Sequence, residues 1–155
     1  MKKEQGTVRV LAKNRKVRHE YHIEEKFEAG IVLTGTEVKA LRDGRIQLKD
    51  SYVEIRNAEA YLVGTHISGY SHGNRENHDP ERPRKLLLHR REIDKLFGRG
   101  ATEGRTVVPL SIYLKGHLVK VEIGLAKGKK LYDKREDAKR RVMDREAEEA
   151  LKTRR

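Results

Sequence analysis

From Tyr21 to Ile31 the apolar side chains fall at odd positions, Tyr21, Ile23, Phe27, Ala29 and Ile31, with polar neighbours between most of them. A period of two sends alternate side chains to opposite faces, so this stretch is predicted to be a strand with one wet face, and its Gly30 to mark a bend or bulge. The period changes in TGTEVKALRDG, where Thr34 or Thr36 can cap, Val38 and Leu41 share a face and Gly44 can terminate; a short helix is predicted at about 36–43. Two β-like runs, IQLKDSYVEIR and AEAYLVGTHIS, surround the spacer NAE and predict an antiparallel pair over 46–67. Residues 69–83 are almost free of apolar side chains and read as an exposed loop. Leu86, Ile93, Leu96 and Phe97 then recur at helical spacing, predicting a helix against the core that Gly98 stops. Val119, Val121 and Ile123 alternate with Lys120 and Glu122 in the second of two β runs joined at Gly116. Upstream, residues 1–16 set six basic side chains around VRVLA, an arm leading into a first strand.

These segments make about five or six short strands interrupted by two helices, without the rhythm of a parallel α/β sheet. A small antiparallel barrel with helices at its ends buries one face of each strand and avoids open edges; an open α+β sandwich is the alternative. Apolar density falls after residue 130, which divides the chain into a β domain at 1–130 and a basic tail at 131–155. In the tail Ala138, Val142, Met143, Ala147, Ala150 and Leu151 form a narrow apolar stripe, too small to dock firmly, so the tail is expected to become helical only when a partner orders it.

Charge changes the picture. The chain of 155 residues carries 36 Lys and Arg against 24 Asp and Glu, a net +12 that favours a polyanionic partner. Both parts are basic: residues 129–155 hold 11 basic and 7 acidic side chains, the remainder 25 and 17. Cysteine is absent, which excludes disulfides and thiolate chemistry. No apolar stretch approaches a membrane span or a signal segment, so a cytoplasmic location without membrane binding is expected.

Catalytic patterns are weak. Gly124, Gly128 and Lys129 echo a phosphate loop, but the glycine spacing is one residue short and Lys130 stands where Ser or Thr would reach magnesium. His72, His78 and Asp79 share the polar loop, and His19 lies three residues from His22, without a recognised ligand spacing. No metal, cofactor or enzymatic activity is expected. The basic residues are better organised, with Asn14, Arg15, Lys16, Arg18 and His19 in one cluster. Lys39, Arg42 and Arg45 bracket the first predicted helix, Arg82, Arg84 and Lys85 precede the second, and Lys127, Lys129 and Lys130 close the domain. With Tyr21, Tyr70 and Tyr132 available for stacking, this inventory suits structured RNA read by shape.

Three long stretches, NRKVRHEYHIEEKFEAGIVLTGTEVKALRDGRIQLKDSYVEI, NHDPERPRKLLLHRREIDKL and VPLSIYLKGHLVKVEIGLAKGKKLYDKRE, resemble the tmRNA-binding protein family, also called SsrA-binding proteins or small protein B. The resemblance covers roughly residues 8–136. It implies a mainly β fold, a small antiparallel OB-like β-barrel with two or three peripheral helices and a basic C-terminal tail. It also implies a non-catalytic RNA-binding adaptor of trans-translation. Its partners would be the tRNA-like domain of tmRNA, alanyl-tmRNA with elongation factor Tu and GTP, and the small-subunit decoding centre of stalled ribosomes lacking message. Carried over by position, Asn14 and Glu28 resemble RNA-face residues, with Arg15, Lys16, Arg18, His19 and Tyr21 beside them. Leu88 resembles an apolar helix-start position of the same face, and Lys127, Lys129 and Lys130 a late lysine cluster. Tyr132 resembles a tail residue that stacks near the decoding bases; Asp133, Lys134 and Arg135 match the start of the tail, and Lys139, Arg140 and Arg141 continue its charge. His22 departs from the family pattern, as does the tail beyond about Lys139. A ribosomal structural protein and an RNA-processing enzyme are the alternatives; the latter would need a metal or a convergent acid and base.

Overall fold

The computed structural model describes residues 8–69, 79–100, 104–128, 139, 141–143 and 145–147. In chain order the elements are β1 (Val8–Lys13), α1 (Arg15–Glu20), β2 (Tyr21–Ile31), α2 (Gly35–Arg42), β3 (Ile46–Gln47), β4 (Tyr52–Arg56), β5 (Glu59–Val63), β6 (His66–Ile67), β7 (Arg84–Leu87), α3 (Arg90–Gly100), β8 (Arg105–Lys115) and β9 (Leu118–Gly128). The described residues of the tail, 139, 141–143 and 145–147, are helical and exposed.

Following the pairings from β8 through β4, β5, β7, β2 and β9 leads back to β8, so six antiparallel strands close into a ring. Closure satisfies the backbone groups that an open edge would expose. β1 stands outside the ring, laid along the second half of β8 from Val8↔Lys115 to Lys13↔Ser111. The expected pair over 46–67 is present at both ends: β4 and β5 meet at a two-residue turn, Asn57 and Ala58, with φ of 52° and 62°, while β3 and β6 pair separately further out. Positive φ at both central residues matches the right-handed twist of the flanking strands. Inside the ring Ala29, Leu62, Leu86, Ile112, Val121, Ile123 and Leu125 pack with Leu41 of α2 and Leu96 of α3.

Four local expectations are corrected. Strands are more numerous than five or six, because short pieces such as β3, β6 and β7 have too few residues to show a period. Residues 84–87 are a strand rather than the start of the second helix, since Leu86 pairs with Ala60 and Ile31. That helix runs through Gly98 to Gly100, burying Ile93 and Leu96 but leaving Phe97 62% exposed. The basic cluster after Asn14 is itself a helix, α1, rather than the end of an arm leading into a strand, and it places His19 on that helix and His22 on β2.

One buried ion network ties α2 to the ring. Thr34 caps α2 by a capping box: its hydroxyl accepts from the Glu37 N–H at 3.3 Å, and its own N–H donates to Glu37 Oε1 at 2.8 Å. Glu37 and Arg84 are both 0% exposed. Arg84 Nε donates to Glu37 Oε2 at 2.7 Å, Nη1 to the Thr65 carbonyl at 2.6 Å, and Nη2 to the carbonyls of Pro80 at 3.0 Å and Asp79 at 3.3 Å. Arg82 Nη2 donates to Glu37 Oε1. Arg82 and Arg84, read from sequence among the RNA-facing groups, are thus committed inward.

Burial pushes the Glu37 carboxyl up, but bonds from Arg82, the Thr34 N–H and Arg84 outweigh it and hold the group below its ordinary 4.5. A carboxyl lowered by folding stabilises the protein fully above its unfolded value, and this contribution is lost as pH falls through the lower folded value. Glu37→Gln leaves two guanidiniums facing a neutral amide. Urea unfolding at neutral pH should show a loss of roughly 3–5 kcal/mol. The variant should also lose less further stability than the parent on acidification from pH 5.

Candidate nucleic-acid interface

The outer face of β2, β9 and β8 is built by register shifts. Before the bulge between Ile23 and Glu25, Tyr21 and Ile23 face outward; beyond it Phe27, Ala29 and Ile31 join the ring interior. A second shift between Pro109 and Ser111 has a similar effect on β8, where Val108 and Leu110 turn outward. The resulting apolar patch of Val108, Leu110, Ala126, Tyr21 and Ile23 seats Val17, the buried residue of α1. Arg15, Lys16, Arg18 and His19 consequently point to solvent from a helix that is anchored by one side chain.

Asn14 fixes the entry to this helix. It is 7% exposed; its Nδ2 donates to the Pro109 carbonyl at 3.1 Å and the Leu48 carbonyl at 3.3 Å, and its backbone N–H to the Leu110 carbonyl at 2.8 Å. Its donors therefore hold α1 against the ring. Lys16 lies 3.7 Å from Glu20 and 3.6 Å from Asp50, exposed pairs worth at most about 1 kcal/mol each. His19 Nδ1 is 3.2 Å from Arg141 Nη2, a contact between the described tail and α1 in which an unprotonated Nδ1 accepts from the guanidinium. At the end of β9, Lys127 is exposed and registers with His22 on β2 and Arg105 on β8, while Gly128 faces Tyr21. The fold thus gathers Arg15, Lys16, Arg18, His19, Tyr21 and Lys127 around the start of β2. A cleft of about 280 Å³ opens beside them, lined by Asn14, Lys16, Tyr21, Asp50 and Tyr52 among others.

Glu28 lies elsewhere on β2, seven positions from Tyr21, or roughly 23 Å along an extended strand. It stands opposite Glu122 of β9. Tyr113 donates its hydroxyl to Glu28 Oε2, and Lys115 Nζ approaches Oε1 at 3.3 Å and Oε2 at 3.5 Å. The Tyr113 bond, against a smaller burial effect and helped by Lys115, holds the Glu28 carboxyl below its ordinary value. Burial, together with the Glu28 bond, pushes the Tyr113 hydroxyl up. Leu88, expected at a helix start, sits between β7 and α3 and packs partly into the ring core. Tyr113 and Lys115 are the functional candidates that the sequence reading missed.

Lys129, Lys130, Tyr132, Asp133, Lys134, Arg135 and Arg140 lie outside the described residues, as do His72 and His78. Among the described residues no three His, Asp or Glu side chains converge as a metal site, and no helix is long and apolar enough to cross a membrane.

A family model described as SmpB protein matches residues 11–153. The chain belongs to the SmpB family. Within that family it is 60% identical over 146 residues to the SsrA-binding protein of Geotalea uraniireducens, covering 94% of this chain and 97% of that one. The SsrA-binding protein of Carboxydothermus hydrogenoformans is 56% identical over 146 residues, with 94% and 98% covered. A solved structure described as "tmRNA-SmpB: a journey to the center of the bacterial ribosome" contains a chain that aligns with a TM-score of 0.66 at 45% identity, covering 77% of this chain and 85% of that one. The mainly β architecture is therefore that of a known SmpB chain.

The seat of α1 depends on Gly124. A Cβ there would stand 3.0 Å from Ile23 Cγ2 and 3.2 Å from Leu110 Cδ1, both on the outer patch. Gly124→Val should cost about 1–3 kcal/mol by overpacking. Hydrogen exchange should show faster amide exchange in α1 while β4 and β5 keep their protection.

Proposed function

We propose that the chain is a non-catalytic RNA-binding adaptor of trans-translation. It binds the tRNA-like domain of tmRNA, delivers it to ribosomes that have run out of message, and inserts its tail in the decoding centre. One observation carries the reading: in a member of the SmpB family, α1 presents Arg15, Lys16, Arg18 and His19 to solvent from a seated position, with Lys127 at its side. Cations spaced by a folded scaffold meet a folded RNA backbone with little side-chain ordering left to do. The relatives are named SsrA-binding proteins, and the solved neighbour is described with tmRNA and the bacterial ribosome.

On this reading the ring domain and Glu28, Leu88, Lys129 and Lys130 serve tmRNA, while Tyr132, Asp133, Lys134, Arg135, Lys139, Arg140 and Arg141 serve the ribosome. The tmRNA travels as its alanyl form with elongation factor Tu and GTP, in the cytoplasm, and the chain itself supplies no covalent chemistry. A tail helix of 22 residues from 134 to 155 would reach about 33 Å, enough to follow a channel emptied of message. Among the described tail residues, Val142 and Met143 are 47% and 65% exposed and are not seated on the ring.

The division of labour is testable by ending the chain after Lys130. Affinity for a tmRNA transcript should stay within a few fold and should weaken as salt rises, since each neutralised phosphate releases counterions. Peptide tagging on stalled ribosomes should disappear. Loss of transcript binding by orders of magnitude would place RNA recognition in the tail, and co-purification with ordinary subunits after a high-salt wash would favour a ribosomal constituent.

A further inference from the structure

Away from α1, no helix among the described residues covers the face of β2, β9, β8 and β1 that carries Glu28. Rows across this face follow from register: Glu28, Glu122, Ser111 and Lys13 in one, then Gly30, Lys120, Tyr113 and Val10 in the next. Two glutamates directly opposite each other repel unless a cation intervenes. Lys115 supplies it and leaves Glu28 in a neutral pair, so the carboxylate no longer deters a polyanion. Tyr113 does something further. Its ring is held by the strand and its hydroxyl donates to Oε2, which limits the carboxylate to one orientation.

A carboxylate offers about four acceptor positions. Tyr113 and Lys115 occupy both on Oε2 and one on Oε1, which leaves one lone pair of Oε1 free. An acceptor with no donor of its own cannot hold phosphate, and a single position fits one N–H or O–H. We propose that the Glu28, Tyr113 and Lys115 group reads one hydrogen-bond donor of the bound RNA, a base amino group or a ribose 2′-hydroxyl, and that Tyr113 is the positioning residue that aims the free lone pair of Oε1. This rests on the reading of the chain as a tmRNA-binding protein and adds what its carboxylate recognises. The charged and titratable groups around Glu28 are Lys26 on β2, Tyr113 and Lys115 on β8, Lys120 and Glu122 on β9, and Lys13 on β1. The Tyr113 hydroxyl, pushed up by burial and by Glu28, stays a donor throughout the range in which RNA is folded.

The test measures affinity of the full chain, its Glu28→Gln and its Tyr113→Phe variants for a transcript of the tRNA-like domain of tmRNA. The transcript is also prepared with one exocyclic amino group removed at a time, or with one 2′-deoxy sugar at a time. At one position the modified RNA should bind the parent about ten-fold more weakly, the loss of one charge-assisted hydrogen bond. The same modification should have no effect on either variant. An amino position identifies a base, a deoxy position a ribose. Carbon-detected titration should show the Glu28 carboxyl moving up in Tyr113→Phe, with the melting temperature little changed. If Tyr113→Phe kept the full penalty that Glu28→Gln lost, Tyr113 would not position the carboxylate. If no modification distinguished parent from variants while the unmodified transcript bound tightly, the donor contact would be wrong and RNA binding by the chain would stand. If the unmodified transcript did not bind the parent, both would fall.

Discussion

The carboxylate of Glu37 is the point on which the architecture turns. Removing two ions from water is expensive, and the attraction between them repays it only when nearly every remaining donor finds a partner. Here the partners come from parts of the chain far apart in sequence: the cap of α2, the first residue of β7, and the carbonyls of residues 65, 79 and 80. β7 has four residues and is the link through which β5 reaches β2. Such a short strand has little pairing energy of its own. Its position depends on the guanidinium that opens it, so ring closure and helix capping are one event.

A second constraint is how a sheet can be apolar on both sides at one end and on one side at the other. Register shifts on β2 and β8 do this by moving the apolar series from one face to the other part-way along. The outer patch that results is small. It suffices for a helix of six residues with a single buried valine, leaving Arg15, Lys16, Arg18 and His19 at the surface. The polar half of the same face, where no such patch forms, is where Glu28 meets Tyr113 and Lys115.

Much of this was legible in the residues. The long strands, the hairpin about residues 57–58 and a threonine cap at 34 or 36 follow from period and turn chemistry, because each depends on neighbours in sequence; the structure selects Thr34. The odd-numbered apolar series of β2 marks a strand, yet it serves two faces, since period alone does not reveal an inserted residue. Arg84 looked like another surface cation; its burial depends on Glu37, 47 positions away, and no local pattern records that. Asn14 was singled out by resemblance, and its inward bonds to Leu48 and Pro109 show a local task that composition could not suggest. The pairing of Tyr113 with Glu28 likewise needs the register of three strands.

α1 ends at Glu20 and β2 begins at Tyr21, with no residue between them. A joint without a hinge makes the helix and the strand one rigid arm, and an extended strand hardly stretches. On the proposed reading, the basic helix at one end and the carboxylate group further along would be jaws of a calliper whose opening is set by the number of residues in β2. An RNA of the wrong curvature would satisfy one jaw and miss the other, and selection among folded RNAs would then be exercised by length. Inserting or deleting a residue pair within that arm would leave every contacting side chain intact and change the gauge.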